Sequence, residues 1–158
     1  MSLDNAFESP LSKRRYVRRL FATIADRYDL ITRVLSYGQD ARWKQWLLKL
    51  AAIGPHDRAL DLACGTGFAT RYLAERVGPQ GYVIGVDLSQ GMLARNQEKL
   101  SAAGITNAGL VHADALGFLR TTPDHSLDGV VCVWGVCYLE LDAFMREVRR
   151  VLKPGGFL

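Results

Sequence analysis

The segment Asp61-Leu62-Ala63-Cys64-Gly65-Thr66-Gly67 joins a carboxylate to two glycines spaced one residue apart. Glycine lets a backbone turn sharply and approach a ligand closely. A turn built for a pyrophosphate would carry a third glycine three residues after Gly67, but Thr70 stands there. An acid inside the strand, Asp61, is a poor neighbour for a pyrophosphate and a good one for a ligand bearing an ammonium and a sulfonium. Asp87 follows about twenty residues later, where a carboxylate can accept both hydroxyls of a ribose. Asp114 closes a third apolar run. It could accept from an exocyclic adenine amine while the Ala115 backbone donates to a ring nitrogen. Any one of these acids has a bland reading as a solvated strand end. Acids at three successive strand ends are harder to ascribe to chance.

These residues need a scaffold that brings strand ends together. Short apolar runs at 58–63, 82–86, 110–113 and 127–136 read as strands, and Phe157-Leu158 as the start of a fifth. Between them, 68–77 and 90–103 read as helices, the second capped by Ser89. A further helix after Asp142 turns Phe144, Val148, Val151 and Leu152 inward and is closed by Lys153-Pro154-Gly155-Gly156. Near-continuous apolar strands alternating with helices predict an α/β fold, a doubly wound parallel sheet covered on both faces. Ligands of such sheets bind at the carboxyl ends of the strands. The spacing divides the chain into an N-terminal helical segment, 1–54, and a ligand-binding core, 55–158. In the first segment, Val17, Leu20, Phe21, Ile24 and Tyr28 share one face of a helix starting near Ser12. A second helix after Asp40 is expected to turn Trp43, Trp46, Leu47 and Leu50 inward.

A chain of 158 residues that is 49% hydrophobic has the composition of one globular domain. Its net charge of +4 is too small to argue for nucleic acid, and no recognised nucleic-acid module is present. The three cysteines Cys64, Cys132 and Cys137 form no CxxC and read as reduced thiols of a cytoplasmic protein. His56, His112 and His125 lack metal-ligand spacing, so no metal is expected. The basic run Lys13–Arg19 reads first as a solvated helix face, and otherwise as a contact with a membrane surface.

Taken together, ALDLACGTG at 59–67, VIGVDLSQGML at 83–93, HADA at 112–115 and RRVLKPGGFL at 149–158 resemble the successive motifs of class I methyltransferases. The stretch FATIADRYDLITRVLSYGQDARWKQWLL at 21–48 resembles the N-terminal signature of the ubiquinone/menaquinone C-methyltransferase family. The resemblance implies a Rossmann-like fold, S-adenosylmethionine as cofactor and a small-molecule acceptor, a lipid-like quinone precursor. It implies that Asp61 meets the methionine amino group while the backbone of Ala63, Cys64, Gly65, Thr66 and Gly67 lines the methionine. Asp87 would hold the ribose, Leu88 and Met92 the adenine face, and Asp114 with Ala115 the adenine edge. Trp134 and Gly135 would border the methyl group, and Tyr28 would close over the cofactor. The sequence departs from the family at Thr32, Cys64 and Phe68, the last standing where an aspartate is expected, and in WGVCYLE at 134–140. A methyltransferase for another small molecule, or a cofactor-binding fragment without activity, therefore stays open. The resemblance assigns no catalytic base. It also implies sheet strands beyond Leu158, so self-association through an open side of the fourth strand is expected.

Overall fold

The computed structural model describes residues 16, 19–21, 23–133, 135, 136 and 140–158. Most of the basic run 13–19, Trp134 and Cys137 lie outside the described residues. A 3-10 turn at Ala25–Arg27 leads into α1 (Tyr28–Leu35) and α2 (Asp40–Leu50). Then come β1 (Arg58–Leu62), α3 (Phe68–Val77), β2 (Tyr82–Asp87), α4 (Gln90–Ala102) and β3 (Ala108–His112). The chain continues through α5 (Ala115–Thr121), β4 (Leu127–Val131), α6 (Leu141–Val151) and β5 (Leu152–Phe157).

The five strands form one parallel sheet in the order β3-β2-β1-β4-β5. The doubly wound Rossmann-like fold expected from the sequence is the fold observed. Period-2 alternation sends Ala59 and Asp61 to one face of β1 and Leu60 and Leu62 to the other. The first face packs Ala59, Val83 and Val131 against Leu48, Ile53, Ala69 and Leu73. The second packs Leu60, Leu62 and Val86 against Leu119, Phe144 and Val148. All carboxyl ends lie along one edge, and the winding reverses beside β1. That edge is where Asp87 and the glycine turn emerge.

Several expectations need correction. β4 ends at Val131, well before Val136, and β3 begins at Ala108. Asp142 sits inside the first turn of α6, whose N-cap is Glu140. The seven-residue helix α5 was not anticipated; it buries Leu116 and Leu119 and is capped by Asp114. Lys153-Pro154-Gly155-Gly156 does not close a helix but runs within β5, in register with β4 at Leu127–Leu152 and Gly129–Phe157 around a bulge. Gly155 takes the positive φ of +83° the bulge requires. Lys153 Nζ donates to Asp128 Oδ1 at 2.7 Å across it. The side of β4 expected to be open is therefore paired. Pro154, without an N–H, lies on an outer strand, where proline is tolerated.

The largest correction is at α2. Trp43, Trp46, Leu47 and Leu50 face outward, and Lys44 and Leu48 face the core. Among the described residues no helix is long and apolar enough to cross a membrane. The residue that ties α2's end to the sheet is Ile53, fully buried, and its side chain fills the space a Cβ on Gly129 would need. Ile53→Ala is expected to cost ~2–5 kcal/mol in chemical denaturation. Trp46→Ala, at a position 63% exposed, should change stability by less than about 0.5 kcal/mol. The opposite ranking would mean that α2 packs on its aromatic face.

Candidate functional site

β1 runs into its turn through Ala63, which holds a φ of +55°, and the turn continues through Gly65 at +53° and Gly67 at +89°. Left-handed backbone is unfavourable for alanine, so neighbours must enforce it. Gly135 packs against Ala63 so closely that a Cβ there would lie 2.4 Å from the Ala63 methyl. Beneath the turn sits Asn96 of α4: a Cβ on Gly67 would fall 2.0 Å from Asn96 Oδ1. Glycine is required at 67 by both its φ and that contact.

A buried polar chain supports Asp61, which is 1% exposed. Thr70 Oγ1 donates to Asp61 Oδ2 at 2.6 Å, and Asn96 Nδ2 donates to Thr70 Oγ1 at 3.2 Å. Thr70 thus occupies the third-glycine position of a dinucleotide turn in order to hold the acid. Asn96 Oδ1 is buried without a hydrogen-bond partner among the described residues. Burial, seconded by the charge of Asp87, raises the Asp61 carboxyl to about 7, against the Thr70 hydrogen bond, which lowers it. Burial likewise raises the Cys64 thiol, with Asp61 and Asp87 adding to the effect, so the thiol stays protonated and is no nucleophile.

Asp87 locks the end of β2 to the turn. Its Oδ2 accepts from Gly65 N–H and its Oδ1 from Ser89 N–H, both at 2.8 Å. Burial raises its carboxyl and these backbone donors oppose the rise. Each carboxylate oxygen retains further acceptor capacity. Ser89 caps α4 as expected, accepting from Met92 N–H at 3.4 Å. Asp114 accepts from Gly117 N–H at 2.9 Å, so it serves as the α5 cap at the end of β3.

The pocket at the turn, about 390 Å³ with its solvent mouth, is lined by Tyr28, Asp61, Ala63, Cys64, Gly65 and Thr66 of the expected residues. Lys44, Phe68, Ala69 and Val133 also line it and were not anticipated as site residues. Gly67, Asp87, Leu88, Met92, Asp114 and Ala115 do not line it; Met92 is almost completely buried in the start of α4. Asp87 reaches the pocket wall only through Gly65.

With this geometry in place, known proteins can be compared. Residues 10–158 match the ubiE/COQ5 methyltransferase family. The chain belongs to that family. It is 39% identical over 152 residues to the demethylmenaquinone methyltransferase of Symbiobacterium thermophilum, covering 94% of this chain and 59% of the relative. It is 35% identical over 146 residues to that of Geobacillus stearothermophilus, covering 92% and 62%. The chain therefore spans about three-fifths of the length of these relatives. Among solved structures, a Haemonchus contortus phosphoethanolamine N-methyltransferase bound to S-adenosylhomocysteine superposes with a TM-score of 0.77 at 19% identity, over 96% of this chain and 32% of that one. That likeness speaks for the fold alone.

α1 is fastened to this site by polar and charged contacts. α1 buries no residue. Instead, Asp29 Oδ1 accepts from Thr66 Oγ1 at 2.6 Å, and Asp29 Oδ2 from Lys99 Nζ at 2.5 Å. Asp26 pairs with Arg95 at 2.6 Å. Burial works against the Asp29 charge, but the hydrogen bonds from Lys99 and Thr66 outweigh it and hold the carboxyl below 3.8. A lowered carboxyl contributes attachment above its unfolded value and loses it as pH falls through the folded one. Asp29→Asn is expected to speed amide exchange in residues 28–35 without changing that of β1. Raising salt to about 1 M should do the same in the parent, since exposed pairs are screened. Equal exchange in all three conditions would mean that apolar contacts hold α1.

Proposed function

We propose that the chain binds S-adenosylmethionine at the glycine turn and forms part of a C-methyltransferase acting on the ring of a quinone precursor. The observation that carries this is a buried acid, Asp61, opening into a pocket at a left-handed glycine turn that is itself clasped by a second strand-end acid, Asp87. The acceptor follows from the relatives, which are demethylmenaquinone methyltransferases.

The residues fit the cofactor on this structure's own terms. Gly65, where a Cβ would meet nothing within 4 Å, leaves backbone open to close approach. Asp61 supplies a carboxylate for the methionine ammonium, and Ala63, Cys64, Gly65 and Thr66 the wall beside the methionine chain, with Gly67 shaping the turn behind them. Asp87 has acceptor capacity for ribose hydroxyls. Leu88, Met92, Asp114 and Ala115 would border the adenine, Met92 contributing only an edge because it is so deeply buried. Trp134 keeps its place beside the methyl group as an inference from sequence alone. Tyr28, at the start of α1, would cover the cofactor, so that residues 1–54 act as the lid and substrate side of a core at 55–158.

When bound, the cofactor supplies a methyl on a positively charged sulfur, activated for in-line displacement. The chain's part is to align and to exclude water. Asp61 would hold the amino-acid end of the cofactor and Asp87 its ribose, and the turn between them is packed from beneath by Asn96 under Gly67 and by Gly135 against Ala63. Tyr28 is carried to the mouth by α1, which Asp29 ties to Thr66 of that turn.

Calorimetry with S-adenosylhomocysteine tests the reading. Asp87→Ala should weaken binding by about 1.5–3 kcal/mol, the scale of hydrogen bonds to a charged group. Because Asp61 stands near 7 in the free protein and must ionise to meet an ammonium, affinity should rise as pH rises through about 7, with proton release on binding. Asp61→Asn should abolish that pH dependence. A parent that binds no S-adenosylhomocysteine, or binds it with the same affinity on both sides of neutrality, would defeat the assignment of cofactor or of Asp61 respectively.

A further inference from the structure

Lys44 is the charge in the pocket that neither the glycine turn nor the strand-end acids explain. It is 8% exposed and lines the same pocket as Asp61. Burying an ammonium is costly unless it is paired. Asp40, one helical turn earlier, pairs with it at 2.8 Å, and the Phe68 ring lies 5.5 Å below it. An ammonium has three donors, and one carboxylate with one ring face leaves capacity toward the cavity. An ordinary i,i+4 pair would sit in solvent and be worth little there. This one is drawn inward by the rotation of α2 that puts Leu48 in the core and leaves Trp43 and Trp46 outside.

An acid and a base in one small pocket complement a zwitterion. The amino-acid end of the proposed cofactor is one, with ammonium and carboxylate on the same carbon. We propose that Lys44 binds the α-carboxylate of that moiety while Asp61 faces its ammonium, with Asp40 as the positioning residue that aims the lysine. This rests on the cofactor reading above. Phe68 belongs to the same design: at a position where the family resemblance calls for an aspartate, this chain has a neutral ring. A carboxylate there would compete with the ligand for Lys44, whereas the ring holds the ammonium by a weaker cation–π contact.

The test compares S-adenosylhomocysteine with its decarboxylated analogue, which keeps the ammonium and loses the carboxylate, by calorimetry on the full chain. The parent should prefer S-adenosylhomocysteine by roughly tenfold to a hundredfold, the range of a charged hydrogen bond. Lys44→Met should erase that preference by weakening S-adenosylhomocysteine roughly tenfold to a hundredfold more than the analogue, which loses only the lysine's help in ionising Asp61. Lys44→Arg should keep much of the preference. A parent that binds both ligands equally overturns the proposal without any variant. Equal weakening of both ligands by Lys44→Met, or by Lys44→Gln should the first variant not fold, also overturns it and makes the lysine a packing residue. A parent that binds neither ligand overturns the cofactor reading and this proposal with it, an outcome distinct from equal binding.

Discussion

A carboxylate buried at the end of the central strand organises everything around it. Asp61 sits on β1, the strand at which the sheet reverses its winding, on the face packed by α2 and α3. Taking a carboxylate out of water is costly unless hydrogen bonds and counter-charges compensate. Thr70 and, behind it, Asn96 supply the hydrogen bonds. Lys44 supplies the nearby positive charge that lowers the Asp61 carboxyl. These partners come from three helices, so the position of one acid dictates how α2, α3 and α4 meet the sheet.

The compensation is incomplete, and that has a thermodynamic sign. The folded-state value of about 7 lies above the unfolded 3.8, so the native state holds the extra proton between them. Stability from this group therefore falls as pH rises from about 4 to about 7, and the cost is fully present above that range. An asparagine would relieve it while still accepting from Thr70. Retaining the acid makes sense where a ligand cation completes the pairing, the usual conflict between a stable site and a useful one. Asn96 Oδ1, unpartnered among the described residues, and the left-handed Ala63 are strains of the same kind, clustered at the same turn.

The parallel sheet, the strand-end acids and the glycine turn were legible in the sequence because each rests on a local rule: apolar runs of strand length, turns only glycine permits, acids where strands stop. What was not legible depended on tertiary competition. The Trp43, Trp46, Leu47, Leu50 stripe satisfies helical periodicity better than Lys44, Leu48 and Ala51, yet the second set is buried. Hydrophobicity alone cannot rank two faces when one of them is chosen by a buried charge. Lys153-Pro154-Gly155-Gly156 has the composition of a helix stop, and Pro and Gly argue against a strand everywhere but at an outer, bulged one. The α5 helix is hard to see in the sequence because Gly117 breaks the helical texture and Asp114 reads as a strand end; in the structure that aspartate caps α5.

α4 shows how these parts become one device. Arg95, Asn96 and Lys99 fall on neighbouring positions of its surface and reach Asp26, Thr70 and Asp29 respectively. α1 and the floor of the turn are thus held by a single helix, one that starts immediately after the Asp87–Ser89 hydrogen bond. A rotation of α4 large enough to release Asp29 would also withdraw Asn96 from beneath Gly67, where there is no room for a side chain to follow. Because packed interiors rearrange between discrete states and do not deform continuously, the attachment of α1 and the geometry of the turn cannot be adjusted independently in this fold. The residues that attach α1 and the residues that shape the turn are therefore constrained together, even though Asp29 and Asn96 never touch the same atom.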